Sequence, residues 1–251
     1  MKAHSVLLAL FLLIGYTINI VAQVDRNLRF THLTNDNGLP TNTIYSLCQD
    51  FKGFIWIATA NGLCKYDGRS ISVYEVEPTK GERKKGGIIR HVFEDKRHRL
   101  WVITHKGVNL YNRNKDNFNF VSVDSLNNFS RVIYQDDKGK IYMGGSGAFI
   151  YNEQTSKFDP FYVNQDETIT AFITAITSDQ KGQMWFGRMY GGLICADVEN
   201  GKLTRYKHND HNINSLISNK VTSLFTDHHG RIWIGTCLLY TSDAADDLTR
   251  V

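Results

Sequence analysis

The chain has 251 residues, 42% of them hydrophobic and 12% aromatic, with three prolines and a formal charge of +4 at pH 7. That length holds one large domain or two small ones, and a charge so small and dispersed argues against a nucleic-acid-binding protein. The one basic run, Lys80 to Lys85, reads as a solvated loop.

Lys2 precedes an apolar run from Val6 to Ile14 and a second from Ile18 to Ala22. A positive residue, an apolar stretch and a small residue at its end predict an export signal over 1–22. Gly15, Tyr16, Thr17 and Asn19 interrupt the run, which is short for a membrane span. The mature chain from residue 23 is expected to be exported. Of its four cysteines, Cys48, Cys64 and Cys195 stand at positions that are apolar in comparable stretches and read as small buried hydrophobes. A Cys48–Cys64 disulfide stays open.

Beyond the signal, one stretch keeps returning: Asp50-Phe51-Lys52-Gly53-Phe54-Ile55-Trp56. Its copies start at Asp95 and end at Trp101, start at Asp136 and end at Tyr142, start at Asp179 and end at Trp185, and start at Asp227 and end at Trp233. The aromatics are 45, 41, 43 and 48 residues apart, a period that marks a repeat architecture. Gly53, Gly139, Gly182 and Gly230 stand three residues after the acid; His98 takes that place in the second copy. Asp-x-x-Gly is turn chemistry, because aspartate bonds backbone two residues on and glycine accepts a positive φ.

An apolar strand leads into each turn, as in Ile44 to Cys48 or Val221 to Phe225, and a β-branched, aromatic one leaves it, as in Ile55 to Thr59. Asn61-Gly62 and Asp67-Gly68 then mark turns into Leu63 to Tyr66 and Ile71 to Tyr74. Later repeats give Gly107 to Asn112 with Phe118 to Val121, and Gly147 to Asn152 with Phe158 to Tyr162. Four short antiparallel strands per period predict the blade of a β-propeller. The fold class is therefore all-β, with about four and a half blades in an incomplete ring. Repeats are expected over about 41–85, 86–127, 128–167, 168–216 and 217–236, with 28–34 the fourth strand of a closing blade. The tail 237–251 carries no blade pattern and reads as non-native, so the protein is expected to continue past Thr236 with other residues. Residues present in every repeat, Asp50, Gly53, Trp56, Asp95, Trp101, Asp136, Gly139, Tyr142, Asp179, Gly182, Trp185, Asp227, Gly230 and Trp233, read as scaffold.

The combination Phe30, Leu33-Thr34, Gly38-Leu39-Pro40, Asn42-Thr43-Ile44, Asp50, Gly53-Phe54-Ile55-Trp56-Ile57-Ala58-Thr59, Gly62-Leu63 and Tyr66-Asp67-Gly68 resembles the two-component regulator propeller of hybrid two-component sensors of Gram-negative bacteria. The resemblance covers about Leu28 to Thr236; His98, Tyr142 and the extra residue in Gly191-Gly192-Leu193 depart from it. It implies a periplasmic sensor of two propellers and a β-sandwich, followed by a membrane helix, histidine kinase, receiver and DNA-binding domain. Such sensors typically take glycan breakdown products, and the full-length protein would be a dimer. Those later activities are not expected of these 251 residues, nor is enzymatic activity, and the only link to a membrane would run through the further parts.

No hydrolase elbow or metalloprotease helix is present, and no metal or cofactor is expected. His208-Asn209-Asp210-His211 and His228-His229 read as turn residues, and Glu153, Glu167 and Glu199 stand singly. What varies between repeats is the segment after each second strand: Ala60-Asn61, His105-Lys106, Gly145-Ser146 and Arg188-Met189-Tyr190. Asn61, His105, Lys106, Arg188 and Tyr190 are the candidate residues for a small-molecule or oligosaccharide ligand. Alternatives that remain are a secreted propeller hydrolase or lyase acting on polysaccharide, and a protein-interaction scaffold.

Overall fold

The computed structural model describes residues 31–76, 87–123, 129–161, 169 and 171–238. The export signal, the basic run at 80–85 and residues 239–251 of the tail lie outside these. Contacts divide the chain into Met1–Leu33 and Thr34–Val251. In the first unit, Thr31, His32 and Leu33 carry no regular structure.

The second unit opens with a 3-10 turn at Asn35–Asn37, and everything after it is strand and turn. The first sheet is β1 (Ile44–Gln49), β2 (Ile55–Thr59), β3 (Gly62–Tyr66) and β4 (Ile71–Tyr74); the second is β5 (Ile89–Glu94), β6 (Leu100–Thr104), β7 (Val108–Asn112) and β8 (Asn117–Val121). The third is β9 (Ser130–Gln135), β10 (Ile141–Gly145), β11 (Ala148–Asn152) and β12 (Lys157–Pro160); the fourth is β13 (Ile173–Ser178), β14 (Met184–Arg188), β15 (Leu193–Asp197) and β16 (Lys202–Tyr206). A fifth sheet pairs β17 (Val221–Thr226) with β18 (Ile232–Thr236). Every sheet is an antiparallel meander in sequence order. The first strands β1, β5, β9, β13 and β17 pack in that order, as the inner strands of a propeller do. β1 and β17 do not pack together in the same way, so the series does not close.

The core lies between sheets. Trp56 and Leu63 of the first meet Val92, Leu100 and Tyr111 of the second; Trp101 and Val108 meet Ile133, Met143 and Phe158; Tyr142 and Ala148 meet Ile173, Met184 and Phe186. Trp56, Trp101 and Tyr142 each anchor such a seam: Trp56 lies 5.0 Å from the Tyr111 ring and Trp101 4.9 Å from the Tyr151 ring, both edge-on. Trp233 is 47% exposed, whereas Trp56 and Trp101 are fully buried. Leu47 and Phe225, on the first and fifth inner strands, are exposed as well.

Thr31 to Thr34 carry no regular structure, and residues 28–30 of the expected closing strand lie outside the described residues. The third sheet's last strand is Lys157–Pro160, and Tyr162, to which the expected strand ran, lies outside the described residues. All four cysteines are free. Cys48 and Cys64 flank β2 from opposite sides, paired with Trp56 and Ile57, so they lie about two strand spacings, ~9–10 Å, apart and beyond disulfide reach.

Candidate ligand-binding edge

Two edges of these sheets are built differently. One carries the Asp-x-x-Gly turns between first and second strands; the other carries the turns after the second strands and the starting ends of the inner strands.

At the first edge the repeat acid does three things. Asp50 Oδ1 accepts backbone N–H groups of Lys52 and Phe54, both at 3.0 Å, closing the turn, while Oδ2 accepts the Trp56 indole N–H at 3.0 Å. The indole or phenol bond recurs in every copy: Trp101 to Asp95 at 3.0 Å, Tyr142 to Asp136 at 3.1 Å, Trp185 to Asp179 at 3.1 Å and Trp233 to Asp227 at 3.0 Å. The six-residue spacing is thus the span that lets one carboxylate hold both the turn and the seam aromatic. The residue three after the acid is left-handed in all five turns, including His98 with φ 61°. Third-strand ends then brace neighbouring sheets: Arg113 donates to Asp50 at 2.9 Å and Glu94 at 2.7 Å, and Arg99 makes a two-pronged bond to Glu153 at 2.9 and 2.8 Å. Burial pushes the Asp50 carboxyl up, but the Trp56 indole and Arg113 outweigh it and hold the group below its ordinary value. The Arg99 hydrogen bonds lower Glu153. Two open hollows at this edge, of about 490 and 400 Å³, are lined largely by these same turn residues.

The candidate residues stand at the opposite edge. Ala60 N–H donates to Thr43 and Gly62 N–H to Gly87, so the Asn61 turn sits between the starts of β1 and β5. The corresponding turns dock the same way, Ser146 N–H on Phe129 and Met189 N–H on Phe172. Thr59 and Thr104 close their turns by accepting the Asn61 and Lys106 N–H groups at 3.1 Å each. Asn61, His105, Lys106 and Tyr190 are exposed, Tyr190 at 78%. Arg188 is half-buried; its Nη2 is tied to the Gly191 carbonyl of its own turn, and its Nε is buried without a hydrogen-bond partner. Burial, then Arg205, lowers the Arg188 guanidinium from its ordinary value. The His208 ring is engaged within its own loop, at 2.6 Å from Leu216 O and 2.7 Å from Asp210.

A further set at this edge escapes a reading of loops alone. In each of the five sheets the register of the first two strands slips at the second residue of the inner strand. The bulged residues are Tyr45, Arg90, Arg131, Thr174 and Thr222. A bulge leaves one residue outside the ladder and re-aims its side chain. The sequence signal was one aligned column, two residues into each inner strand.

A family model described as "Two component regulator propeller" matches residues 38–61 and 215–237, the first and fifth repeats. Over those two repeats the chain is similar to the two-component regulator propeller. Similar proteins include Histidine kinase P4 of Formosa agariphila, 34% identical over 82 residues that make up 31% of this chain and 6% of that one. Among solved structures, the extracellular domain assigned to a hybrid two component system, BT4673 of B. thetaiotaomicron, is 21% identical with a TM-score of 0.69, covering 83% of this propeller chain and 28% of that chain. Virginiamycin B lyase of Staphylococcus aureus, solved with quinupristin, is 16% identical with a TM-score of 0.60, covering 82% of this chain and 66% of that one. Both structural likenesses are of fold. The chain thus spans less than a third of the length of the first two of these relatives. No helix among the described residues is long and apolar enough to cross a membrane.

Proposed function

We propose that this chain is the ligand-sensing propeller of an exported two-component sensor, held in the periplasm and joined to its membrane helix and kinase by further parts of the protein. The ligand is a small molecule or oligosaccharide derived from glycan breakdown, met at the edge formed by the turns after the second strands. The observation that carries this reading is the division of labour between the edges: the Asp-x-x-Gly edge is spent on hydrogen bonds repeated in every blade, while side chains at the other edge change from blade to blade. A ligand that favours one arrangement of the ectodomain dimer shifts its population, which is all the signal requires.

The test is calorimetric titration of the full-length ectodomain against a panel of oligosaccharides, with chromatography of the same mixtures for products. Saturable binding without turnover is expected. Turnover of any glycan would replace the sensor reading by that of a polysaccharide hydrolase or lyase.

A further inference from the structure

We propose that Arg90 and Arg131, the bulge residues of two successive inner strands, form a binding site for an oxyanion, a carboxylate or a sulfate ester, carried by the ligand. The inference rests on the sensing role above and gives the ligand a charge.

The bulge itself belongs to the scaffold, since all five sheets have it; what occupies it does not. In the fourth and fifth sheets the occupant is a threonine that turns back on the backbone. Thr174 Oγ1 donates to Val221 O at 2.6 Å and Gly187 O at 3.1 Å, and Thr222 Oγ1 to Gly235 O at 3.1 Å. Those two are satisfied within the fold. In the second and third sheets the same position holds a guanidinium, and no carboxylate meets either one among the described residues. Arg90 Nε is buried with no hydrogen-bond partner. The Arg90 guanidinium carbon instead lies 5.4 Å from the Tyr45 ring centre and 5.9 Å from that of Phe129. Aromatic faces steady a guanidinium by cation–π attraction while leaving its edge donors unspent.

Arg131 stands at the equivalent place on the next inner strand, and the two cations feel one another: burial, then Arg90, lowers Arg131 from its ordinary value. Two like charges brought together with no carboxylate beside them among the described residues destabilise a fold, whereas Arg99 and Arg113 at the opposite edge each have carboxylates. Unspent donors at adjacent bulges match the geometry that takes an oxyanion in two-pronged fashion. Tyr45, 45% exposed, and the Phe129–Phe172 ring pair at 5.0 Å provide an apolar flank beside the cations.

The experiment is calorimetry on the full 251-residue chain with sodium sulfate, glucuronate and glucose at matched ionic strength, repeated on Arg90→Gln, Arg131→Gln and Arg131→Lys. Saturable binding of sulfate or glucuronate is expected, the stronger of the two identifying the anion, with at least tenfold weaker binding in each glutamine variant and an intermediate loss in Arg131→Lys. Thermal unfolding without ligand supplies the second readout: the glutamine variants should melt at the same or a higher temperature, because each removes one of two like charges. Unchanged anion affinity in the glutamine variants would overturn the proposal, as would a lower melting temperature, the mark of a purely structural pair. Binding of neutral oligosaccharides but of neither anion would overturn it and leave the sensing role standing; binding of none would remove both.

Discussion

At the scale of residues, the repeat aspartate is the group on which the blade depends. Asp50 is 3% exposed and accepts four hydrogen bonds, one of them from Arg113 of the next sheet. Replacing it with alanine strands an indole N–H, two backbone N–H groups and a partly buried guanidinium. Asp50→Ala should therefore cost about 3–5 kcal/mol, read as a fall in the midpoint of urea unfolding. A second residue sets the response to acid. His91 on β5 accepts the Ile133 N–H at its Nδ1, 3.4 Å away, and burial pushes its pKa down from 6.5 to about 4. A depressed histidine favours the native state only while neutral, so its contribution is full above pH 6.5 and is lost as pH falls towards about 4. Asp50 and Glu153, both lowered, add a further loss below their ordinary values of 3.8 and 4.5. The melting temperature should decline between pH 6.5 and 4 in the wild type and stay nearly flat there in His91→Gln, with both declining at lower pH. Equal slopes in the upper window would exclude His91 as the cause.

At the scale of elements, much was legible because the chain repeats itself. The period, the turn glycines and the alternation of strands place each first-to-second-strand hairpin correctly, and His98 stands out in sequence as the one non-glycine at the third place after the acid in the five repeat turns. What the repeat does not encode is the contact between sheets. The Arg113 and Arg99 braces do not follow from spacing, since each depends on where the neighbouring sheet lies. Glycines on the second strands show the same limit. A Cβ on Gly144 would come within 2.6 Å of Ile173 Cγ2 and 2.9 Å of Val132 Cγ1, so this glycine lets the fourth sheet's inner strand approach. A Cβ on Gly53 would meet nothing within 4 Å, and that residue is required only by its φ of 87°. Gly144→Ala should cost about 1–3 kcal/mol through crowding and Gly53→Ala about 1–2 kcal/mol through the backbone alone. A second substitution enlarging Gly144→Ala to valine should deepen the first loss, whereas Gly53→Asn should recover most of the second; denaturant midpoints distinguish them.

At the scale of the whole molecule, stability passes from sheet to sheet, each seam covering the aromatic of the sheet before it. Such arrays approximate a sum of nearest-neighbour terms and lose cooperativity where a neighbour is lacking. Trp233 and Phe225 on the fifth sheet and Leu47 on the first have no such cover among the described residues. The 251-residue chain should unfold broadly rather than in one sharp step, with acrylamide quenching Trp233 well before Trp56 and Trp101. A sharp, fully cooperative melt of residues 23–236 would contradict this. The candidate edge was only partly legible: Asn61, His105, Lys106, Arg188 and Tyr190 share one edge as their place after the second strands implied, but Arg188 is drawn into its own turn and the bulge arginines lie on strands rather than loops.

Hydrogen exchange of the ectodomain with and without a bound saccharide from the panel tests the central claim, that ligand is met at the turn edge following the second strands. Protection should appear at the turns around Asn61, Lys106, Ser146 and Tyr190 and at the starts of β5 and β9. Protection confined to the Asp-x-x-Gly turns around Lys52, Arg97, Lys138 and Lys181 would contradict it and assign recognition to the hollows of the opposite edge.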